Sequence, residues 1–436
     1  MSELQIGLLL CVVTLIVLFS GVSIAFGLLA VSIAFLAIFD GFKSVALLPD
    51  ILMGELSSFA LLAVPMFITL GAAIGNSRAG SDLYESFYRW LSRVPGGLVV
   101  ANIMACGLFS ALSGSSPATA AAVGKVGIPQ MIARGVSSRL ASGSIAAGGT
   151  LGILIPPSLT FIIYGLATET SIARLFLAGI LPGVLLIAIF SFYAFVSSRR
   201  MERAKETEPV TFSIREKFSG FLRAGPFLLL VAAVTFAMYG GIATPSEVSA
   251  LAALLSIVLV MAMYSVTPRQ TGRIMISSAR ESAMVLMIIA ASAAYAYMMS
   301  YLYITQSLAQ WISSLPLGFW GLLFVINIFL FIMGFFLPPV AIILMSMPVL
   351  LPVLEANNVD LIWFAVVLTI NLEIGLITPP VGLNLFVIRA VAPNLSPRAI
   401  LLGAMPFVLL MTGFIVLLCF VPQIATIVPD LVMGTQ

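Results

Sequence analysis

Long apolar segments alternate with short polar ones along almost the whole chain. The first apolar run extends from Leu4 to Phe39 and carries Ser20-Gly21 near its middle, so it fits either two short spans or one bent helix. Further apolar segments cover 59–74, 98–112, 142–167 and 172–196, and then 226–239, 248–264, 282–302, 318–337, 361–388 and 399–421. Because a membrane span needs roughly 20 apolar residues, this pattern predicts roughly ten to twelve membrane elements.

The composition excludes several classes of protein. Of the 436 residues, 61% are apolar and 8% charged, whereas a soluble protein carries about 25% charged residues. A net charge of +3 does not indicate a nucleic-acid partner. The absence of histidine removes histidine proton relays, imidazole metal sites and serine–histidine catalysis, and no cluster of nucleophile, base and metal ligands is visible, so an enzyme is not predicted.

The N-terminus, the three cysteines and the one strongly polar stretch each have a simple interpretation. The N-terminus has Glu3 as its only early charge and no basic region, which predicts membrane structure and not a removed signal peptide. Cys11, Cys106 and Cys419 lie far apart in apolar runs and are interpreted as packing residues. The only strongly polar stretch, 199–223, holds four glutamates and seven basic residues and is interpreted as a solvated linker, a binding role being the alternative.

Internal repeats indicate that this linker joins two copies of one unit. Four residues of the first half recur 221 positions later, namely Trp90, Ser92, Pro95 and Gly97 as Trp311, Ser313, Pro316 and Gly318. Gly152 with Pro156-Pro157 recurs 223 positions later as Gly375 with Pro379-Pro380, and Gly179 with Pro182 recurs after 224 as Gly403 with Pro406. The predicted repeats are therefore 1–198 and 224–436, on either side of the linker at 199–223.

Charge placement orients the two copies, because Lys and Arg accumulate in cytoplasmic loops. The linker is therefore predicted to be cytoplasmic. Arginines lie on both sides of 98–131, which predicts a re-entrant hairpin entering from the cytoplasm and turning at Ser113-Gly114-Ser115-Ser116-Pro117. Its counterpart, 318–354, has an uncharged approach and an acidic exit at Glu355 and Asp360, so it should enter from the opposite face. Such an inverted-topology repeat is typical of secondary transporters.

The interruptions in the membrane segments are the candidate sites. The first hairpin turn offers carbonyl and hydroxyl oxygens to a hard cation and a helix N-terminus to an anion, unless it is only a Ser-rich packing turn. Two helices, predicted at 142–167 and 361–388, break at Gly148 to Pro157 and at Glu373 to Gly382. Either Pro-Pro alone could be a kink, but paired breaks at corresponding positions indicate a transport site.

Two ionisable residues near these breaks have alternative interpretations. Glu373 directly precedes the predicted unwinding at Gly375, where it either helps to neutralise a bound cation or faces interfacial water at a helix end. Lys125 follows the first hairpin turn, where it either attracts an anionic substrate or extends toward the cytoplasmic surface, the interpretation we favour here.

Several motifs together resemble the large membrane subunit of tripartite ATP-independent periplasmic (TRAP) transporters. They are S-G-S-S-P with Ile128-Pro129, the two G-x-x-x-P-P breaks, A-T-P-S-E at 243–247 and G-L-N-L-F at 382–386, and the resemblance covers essentially the whole chain. It implies a DctM-like, elevator-type transporter of the ion transporter superfamily, driven by sodium, in the bacterial inner membrane. It also implies two partners, a small four-helix membrane subunit and a soluble periplasmic substrate-binding protein. The chain departs from the family at Pro338-Pro339, where an aspartate is common.

The expected fold is thus an all-α polytopic membrane protein, an inverted-topology repeat with two re-entrant hairpins and two broken helices. Sodium, the only metal expected, is assigned as coupling ion to Ser113, Gly114, Ser115, Ser116, Gly148, Gly149, Thr150, Gly152, Gly334, Pro338, Gly375, Thr378, Pro379 and Gly382. A small organic anion (a carboxylate, sugar acid or sulfonate) is assigned between the two hairpin tips, to Ser116, Pro117, Thr119, Pro156, Pro157, Pro339, Pro380 and Asn384, with no arginine expected there. No cofactor is expected. The alternatives are a single-component sodium/anion symporter of the same superfamily or, less favoured, a channel.

Overall fold

The computed structural model describes residues 1–202, 212–314 and 318–434. These residues form helices joined by short turns, and a 3-10 turn at Phe59–Leu62 precedes α5. The helices of the described residues, in chain order, are α1 (Glu3–Phe19), α2 (Ile24–Phe39), α3 (Phe42–Val45), α4 (Leu48–Leu56), α5 (Ala63–Gly75), α6 (Ala79–Leu91), α7 (Gly97–Ser113), α8 (Ser116–Ala133), α9 (Ser138–Leu154), α10 (Leu159–Thr168), α11 (Ile172–Glu202), α12 (Ile214–Tyr239), α13 (Pro245–Tyr264), α14 (Pro268–Tyr301), α15 (Ile304–Ser314), α16 (Gly318–Gly334), α17 (Pro339–Ala356), α18 (Leu361–Leu376), α19 (Leu383–Val391), α20 (Pro397–Phe420) and α21 (Gln423–Met433).

The helix boundaries refine the predicted segments in several places. In the described part of the chain, seven helices are long and apolar enough to cross a membrane, or eight if the bent pair Phe42–Leu56 and Phe59–Gly75 is one span. The first apolar run forms two helices, α1 and α2, and not one bent helix. The predicted linker is partly helical, since α11 continues to Glu202 and α12 begins at Ile214. Residues 203–211 of the linker, which include Arg203 and Lys205, lie outside the described residues. The same is true of Pro316 in the second Trp-Ser-Pro-Gly set.

Many helices begin at a hydroxyl residue that supplies an acceptor for the free N–H groups of the first turn. Complete capping boxes, in which a Ser or Thr and a Glu or Gln three residues later bond each other's backbone, begin α1, α12, α13 and α14. Ser137, Ser158 and Ser396 accept backbone hydrogen bonds at the starts of α9, α10 and α20. Such caps stabilise helix ends in a protein whose membrane interior offers few other partners.

The predicted all-α fold class is confirmed for the described residues, and the order of helices in the second half follows that in the first. The hairpin α7–α8 corresponds to α16–α17, the broken helix α9–α10 corresponds to α18–α19, and α11 corresponds to α20. The short helices α6 and α15 also correspond, and they carry the repeated tryptophans Trp90 and Trp311, which are 48% and 49% exposed. The repeat seen in glycine, proline and tryptophan positions is therefore a repeat of helices.

The hairpins and broken helices pack together around α9. This helix contacts α7 and α8 of its own hairpin, α11, and also α18 and α20 of the second half. Every residue of α9 from Leu140 to Leu154 is buried, as is every residue of α18 from Ile362 to Leu376. Around this unit, α14 runs along α2, α4 and α5, α13 packs on α5, and α12 packs on α6. Burial on all sides explains why α9 is small or apolar from Leu140 to Leu154 and why α18 is mostly apolar, with Asn371 and Glu373 as its larger polar residues.

Candidate substrate and cation sites

The first hairpin turns through a short segment rich in hydroxyl and carbonyl oxygens. Gly114 adopts a left-handed conformation with φ +58°, and Ser115 then caps α8 by accepting a hydrogen bond from the Ala118 N–H at 3.5 Å. The hydroxyls of Ser113 and Thr119 lie 2.9 Å apart, and Thr119 Oγ1 donates to the Ser115 carbonyl oxygen at 2.9 Å. The turn is therefore tied by its own polar groups and keeps several oxygens close together.

This tip rests on the last turn of α9, just before the first helix break. A Cβ atom at Gly152 would lie 3.1 Å from the Ser115 carbonyl carbon and 3.2 Å from its oxygen, so a glycine lets the two backbones meet. The break follows at Ile155, and the buried Pro156-Pro157 peptide bond is cis. The Ser158 hydroxyl spans the break, donating to the Ile153 carbonyl oxygen and accepting from the Phe161 N–H. The structure thus brings together the first hairpin tip and the first break.

The second hairpin meets the last turn of α18, just before the second break; Gly375, where unwinding was predicted, is still helical, and the interruption follows it. A Cβ atom at Gly375 would lie 2.5 Å from the Gly334 carbonyl oxygen, so backbone again contacts backbone. The Thr378 hydroxyl donates to the Ile374 carbonyl oxygen at 2.5 Å. Pro338 precedes α17 without a side-chain cap, so this tip offers backbone groups where the first offers hydroxyls. The Pro379-Pro380 bond is also cis, but both prolines are exposed, unlike their counterparts in the first half.

Two residues assigned to sodium face other parts of the protein. The Thr150 hydroxyl donates to the Ala147 carbonyl oxygen at 2.6 Å and lies 3.8 Å from the Met411 sulfur on α20. Gly148 lies against Cys106 of α7, since a Cβ atom there would be 2.8 Å from the Cys106 Cβ. Both positions face the packed core around α9 and not the hairpin tip, because successive residues of a helix point in different directions.

A cavity of about 710 Å³ lies between the first hairpin tip and the helices α5 and α14. Ser113, Gly114 and Ser115 line it on one side. The opposite wall includes residues 67–68 and 70–72 of α5 and Ser277 of α14. Its volume suits a small organic ligand.

Charged residues of both signs line this cavity. Two of them are basic, Lys125 and Arg78, and Arg78 immediately precedes α6. Glu281 of α14 lines it as well and contributes a carboxyl group. No arginine was expected between the two hairpin tips, and Arg78 reaches this cavity from a turn that is distant from the first hairpin in sequence. Lys125 is exposed and lines this cavity. A polar cation-containing wall can attract an organic anion.

Most residues assigned to substrate lie elsewhere. Of the residues assigned to substrate, Pro157 lines the cavity. The described lining includes no residue of the second hairpin tip. It also lacks the other residues assigned to substrate, which are Ser116, Pro117, Thr119, Pro156, Pro339, Pro380 and Asn384. Glycine and proline positions predicted where the helices break, but they could not predict which residues beside a break line a cavity.

Ser116 and Asn384 belong instead to a buried polar cluster with Glu373. The Ser116 hydroxyl donates to Glu373 Oε2 at 3.1 Å, and Asn384 Nδ2 donates to that hydroxyl at 2.8 Å and to the Ala146 carbonyl oxygen at 3.4 Å. Glu373 is 1% exposed, which excludes the interpretation that it faces interfacial water. Nearby, Asn371 Nδ2 donates to the carbonyl and side-chain oxygens of Asn327, both at 2.9 Å, and so joins α18 to α16.

Comparison with known proteins agrees with this architecture. Residues 10–424 match the sequence model of the DctM family, described as the DctM component of the tripartite ATP-independent periplasmic transporter. The chain is 35% identical over 373 residues to the C4-dicarboxylate TRAP transporter large permease protein DctM of Pseudomonas aeruginosa, covering 85% of this chain and 86% of that protein.

Other relatives are named for other substrates. The isethionate TRAP transporter permease protein DctMQ of Oleidesulfovibrio alaskensis is 31% identical, with 93% of this chain and 63% of that protein covered. The ectoine/5-hydroxyectoine TRAP transporter large permease protein UehC of Ruegeria pomeroyi is also 31% identical, with 92% of each covered.

The fold is similar to that of a solved transporter. The crystal structure of YdaH from Alcanivorax borkumensis superposes with a TM-score of 0.60 at 16% identity and covers 94% of this chain and 97% of that one. The hairpins, the broken helices and the match along nearly the whole sequence lead to one conclusion. The chain belongs to the DctM family, the large permease component of tripartite ATP-independent periplasmic transporters, and is a multi-pass membrane transporter and not an enzyme.

Proposed function

We propose that this permease imports a small organic anion across the bacterial inner membrane, coupled to sodium, after a soluble periplasmic binding protein has delivered it. The observation that carries the proposal is the cavity of about 710 Å³ at the first hairpin tip, whose wall holds Arg78 and Lys125. Guanidinium and ammonium groups both bind carboxylates and sulfonates. C4-dicarboxylates, isethionate and ectoine, for which the relatives are named, all carry such a group.

Sodium is proposed to bind where the hairpin tips rest on the broken helices. In the first half, the tip from Ser113 to Ser116 contacts Gly152 and offers hydroxyl and carbonyl oxygens. In the second, Gly334 contacts Gly375 beside the Thr378 hydroxyl. Hard cations prefer such neutral oxygen ligands, and unwound backbone at paired breaks supplies them in other secondary transporters.

The packing supports an elevator movement. The hairpin tips contact the broken helices directly, so α7–α10 and α16–α19 are proposed to move together as one unit. The cavity lies between part of this unit and the helices α5 and α14, although Gly71 of α5 also lies against the Ser113 backbone; α5 and α14 are proposed to belong to the stationary scaffold with α1, α2, α12 and α13. The small four-helix membrane subunit is proposed to hold this scaffold in the bilayer.

The proposed topology follows from charge. Residues 1–198 and 224–436 are proposed as the two inverted repeats, joined on the cytoplasmic side by 199–223. With this topology, Arg78 and Lys125 are proposed to lie on the cytoplasmic side of the cavity, and the cavity is proposed to open toward the cytoplasm.

The test is uptake into proteoliposomes that contain this chain and its small membrane subunit, with loaded binding protein outside. We expect saturable uptake that requires an inward sodium gradient. Uptake driven by a pH gradient in sodium-free buffer would contradict sodium coupling. Equal uptake by this chain alone would indicate a single-component symporter, and unsaturable conductance would indicate a channel.

A further inference from the structure

The cluster around Glu373 contains buried oxygens that lack a partner. Glu373 Oε1 and Asn384 Oδ1 accept no hydrogen bond, although their side chains are only 1% and 0% exposed. Within the described residues, Glu373 forms no ion pair with Lys or Arg. A buried carboxylate without a compensating charge either takes up a proton or binds a cation, and the free oxygens of this cluster are able to bind a cation.

The cluster is built by segments from both halves of the chain. Ser116, at the start of α8, bonds both Glu373 of α18 and Asn384 of α19 through one hydroxyl, so the carboxylate and the amide lie beside the same oxygen. Gly149 of α9 leaves room for this junction, since a Cβ atom there would lie 3.1 Å from the Ser116 carbonyl oxygen and 3.3 Å from Asn384 Nδ2. Carboxylate, amide, hydroxyl and carbonyl groups therefore lie together in one buried cluster.

We propose that Glu373, Asn384 and Ser116 form a third cation site, which takes a monovalent cation of the sodium type between the first hairpin and the second broken helix. One carboxylate balances the charge of one monovalent ion, whereas a divalent ion would leave a net positive charge in an apolar interior. The oxygen types are those that hard cations select. This inference rests on the proposed sodium coupling and adds an ion to it.

The first half contains no equivalent of the Glu373 site at the corresponding position. By the repeat shift of 223 positions, Glu373 corresponds to Thr150, whose hydroxyl bonds within α9 and faces Met411. The two tip sites are related by the repeat, but the Glu373 site is single. An ion bound there would bridge the two halves of the mobile unit, because its ligands come from both.

The experiment measures radioactive sodium taken up per molecule of substrate in the reconstituted complex with its binding protein. Glu373→Gln keeps the shape of the side chain and an acceptor for Ser116 but removes the charge. We expect the sodium-to-substrate ratio to fall by one ion. Glu355→Gln, an exposed carboxamide variant at the end of α17, should keep the wild-type ratio.

The outcomes separate this inference from the proposed function. If the wild-type complex takes up no sodium with substrate, the proposed coupling itself is wrong. If the wild type couples sodium and Glu373→Gln has the same ratio, only the third site is wrong. A variant that keeps its sodium ratio but loses proton uptake would show that Glu373 carries a proton, which also overturns the cation site.

A second measurement covers the case in which Glu373→Gln does not insert. Asn384→Leu removes the amide oxygen while keeping a similar volume, and purified wild-type and variant complexes can be compared for the number of sodium ions bound at saturation. We expect one ion fewer in the variant. An equal number in both would overturn the site without any transport assay.

Discussion

Gly375 in the second broken helix lies against Gly334 in the second hairpin, so closely that a Cβ atom at Gly375 would be 2.5 Å from the Gly334 carbonyl oxygen. The first half has the same arrangement, with Gly152 against the backbone of Ser115. In both halves a glycine of the broken helix receives the tip of a hairpin. The proposed sodium sites depend on this approach, because a side chain would separate the oxygens that bind the ion.

Gly375→Ala should therefore raise the sodium concentration for half-maximal uptake. The added methyl group would force the tip away, a crowding that typically costs about 1–3 kcal/mol, which corresponds to a loss of about 5- to 150-fold in sodium affinity. Gly413→Ala in α20 is the matched control, because a Cβ atom there meets no atom within 4 Å. A sodium titration of uptake in proteoliposomes tests both, and equal sodium dependence would mean that the tip contact is only structural.

Thr378→Val should weaken sodium binding without unfolding the protein. Valine keeps the shape of threonine but removes the hydroxyl oxygen beside the second break, and loss of one such interaction, ~1 kcal/mol, corresponds to about fivefold. Thr412→Val is the control, because Thr412 makes the same bond to the carbonyl oxygen four residues earlier, on the exposed face of α20. The measurement is again half-maximal sodium, and a similar shift in both variants would assign the effect to helix stability.

Lys125→Gln should weaken binding of the organic anion in the cavity. Because the Lys125 side chain is exposed, its attraction for an anion is screened, and we expect about a threefold rise in the Kd of the isolated membrane complex. The effect should shrink at high salt. Lys43→Gln, an exposed lysine of α3 outside the cavity, should leave binding unchanged. Binding that is insensitive to Lys125 and to salt would place the anion elsewhere.

The topology can be tested with single cysteines in a chain whose three native cysteines have been replaced. Ser213→Cys, before α12, should be protected from an impermeant thiol reagent in intact cells, whereas Asn357→Cys, after α17, should react. The reason is that positive charge places 199–223 in the cytoplasm and the second hairpin opens to the other side. The reverse labelling pattern would contradict the orientation.

Asp430→Asn should loosen the last helix. The Arg174 guanidinium on α11 donates to Asp430 Oδ1 and to the Gly434 carbonyl oxygen, each at 2.9 Å, and so holds α21 against α11. Because Asp430 is partly exposed, we expect a loss of about 1 kcal/mol in the free energy of unfolding, seen as a lower melting temperature of the purified protein. Glu355→Gln provides the control for removal of an unpaired surface carboxylate.

The architecture was predictable because glycine and proline mark positions where a membrane helix cannot continue. Pro156-Pro157 and Pro379-Pro380 located both breaks, and Gly114 located the first hairpin turn. The amphipathic helices α6 and α15 were missed, since they are short and mix charged or polar residues with apolar ones. Apolar run length, the signal used, detects only helices that are buried in lipid or protein on every side.

The contents of the sites were harder to predict. The hydrogen bond between Ser116 and Glu373 joins residues 257 positions apart, and no local pattern reports such a contact. Arg78 reaches the cavity from the turn before α6, in a segment whose charge was used only for orientation. Which side of a broken helix faces water depends on the helices packed around it, so the direction of Thr150 toward Met411 could not be derived from its position beside Gly152.

The way the two halves interleave has a consequence for biosynthesis. Helix α9 is buried along 140–154, but two of the helices that cover it, α18 and α20, are the last long segments to leave the ribosome. The first half is therefore inserted into the membrane before α18 and α20 have been made. The small-residue faces of α9 that these helices cover stay exposed to lipid until translation is nearly finished. A chain that stops before α18 would contain the whole first repeat but would leave α9 without two of the helices that bury it. We expect such a chain to be degraded as an unassembled membrane protein.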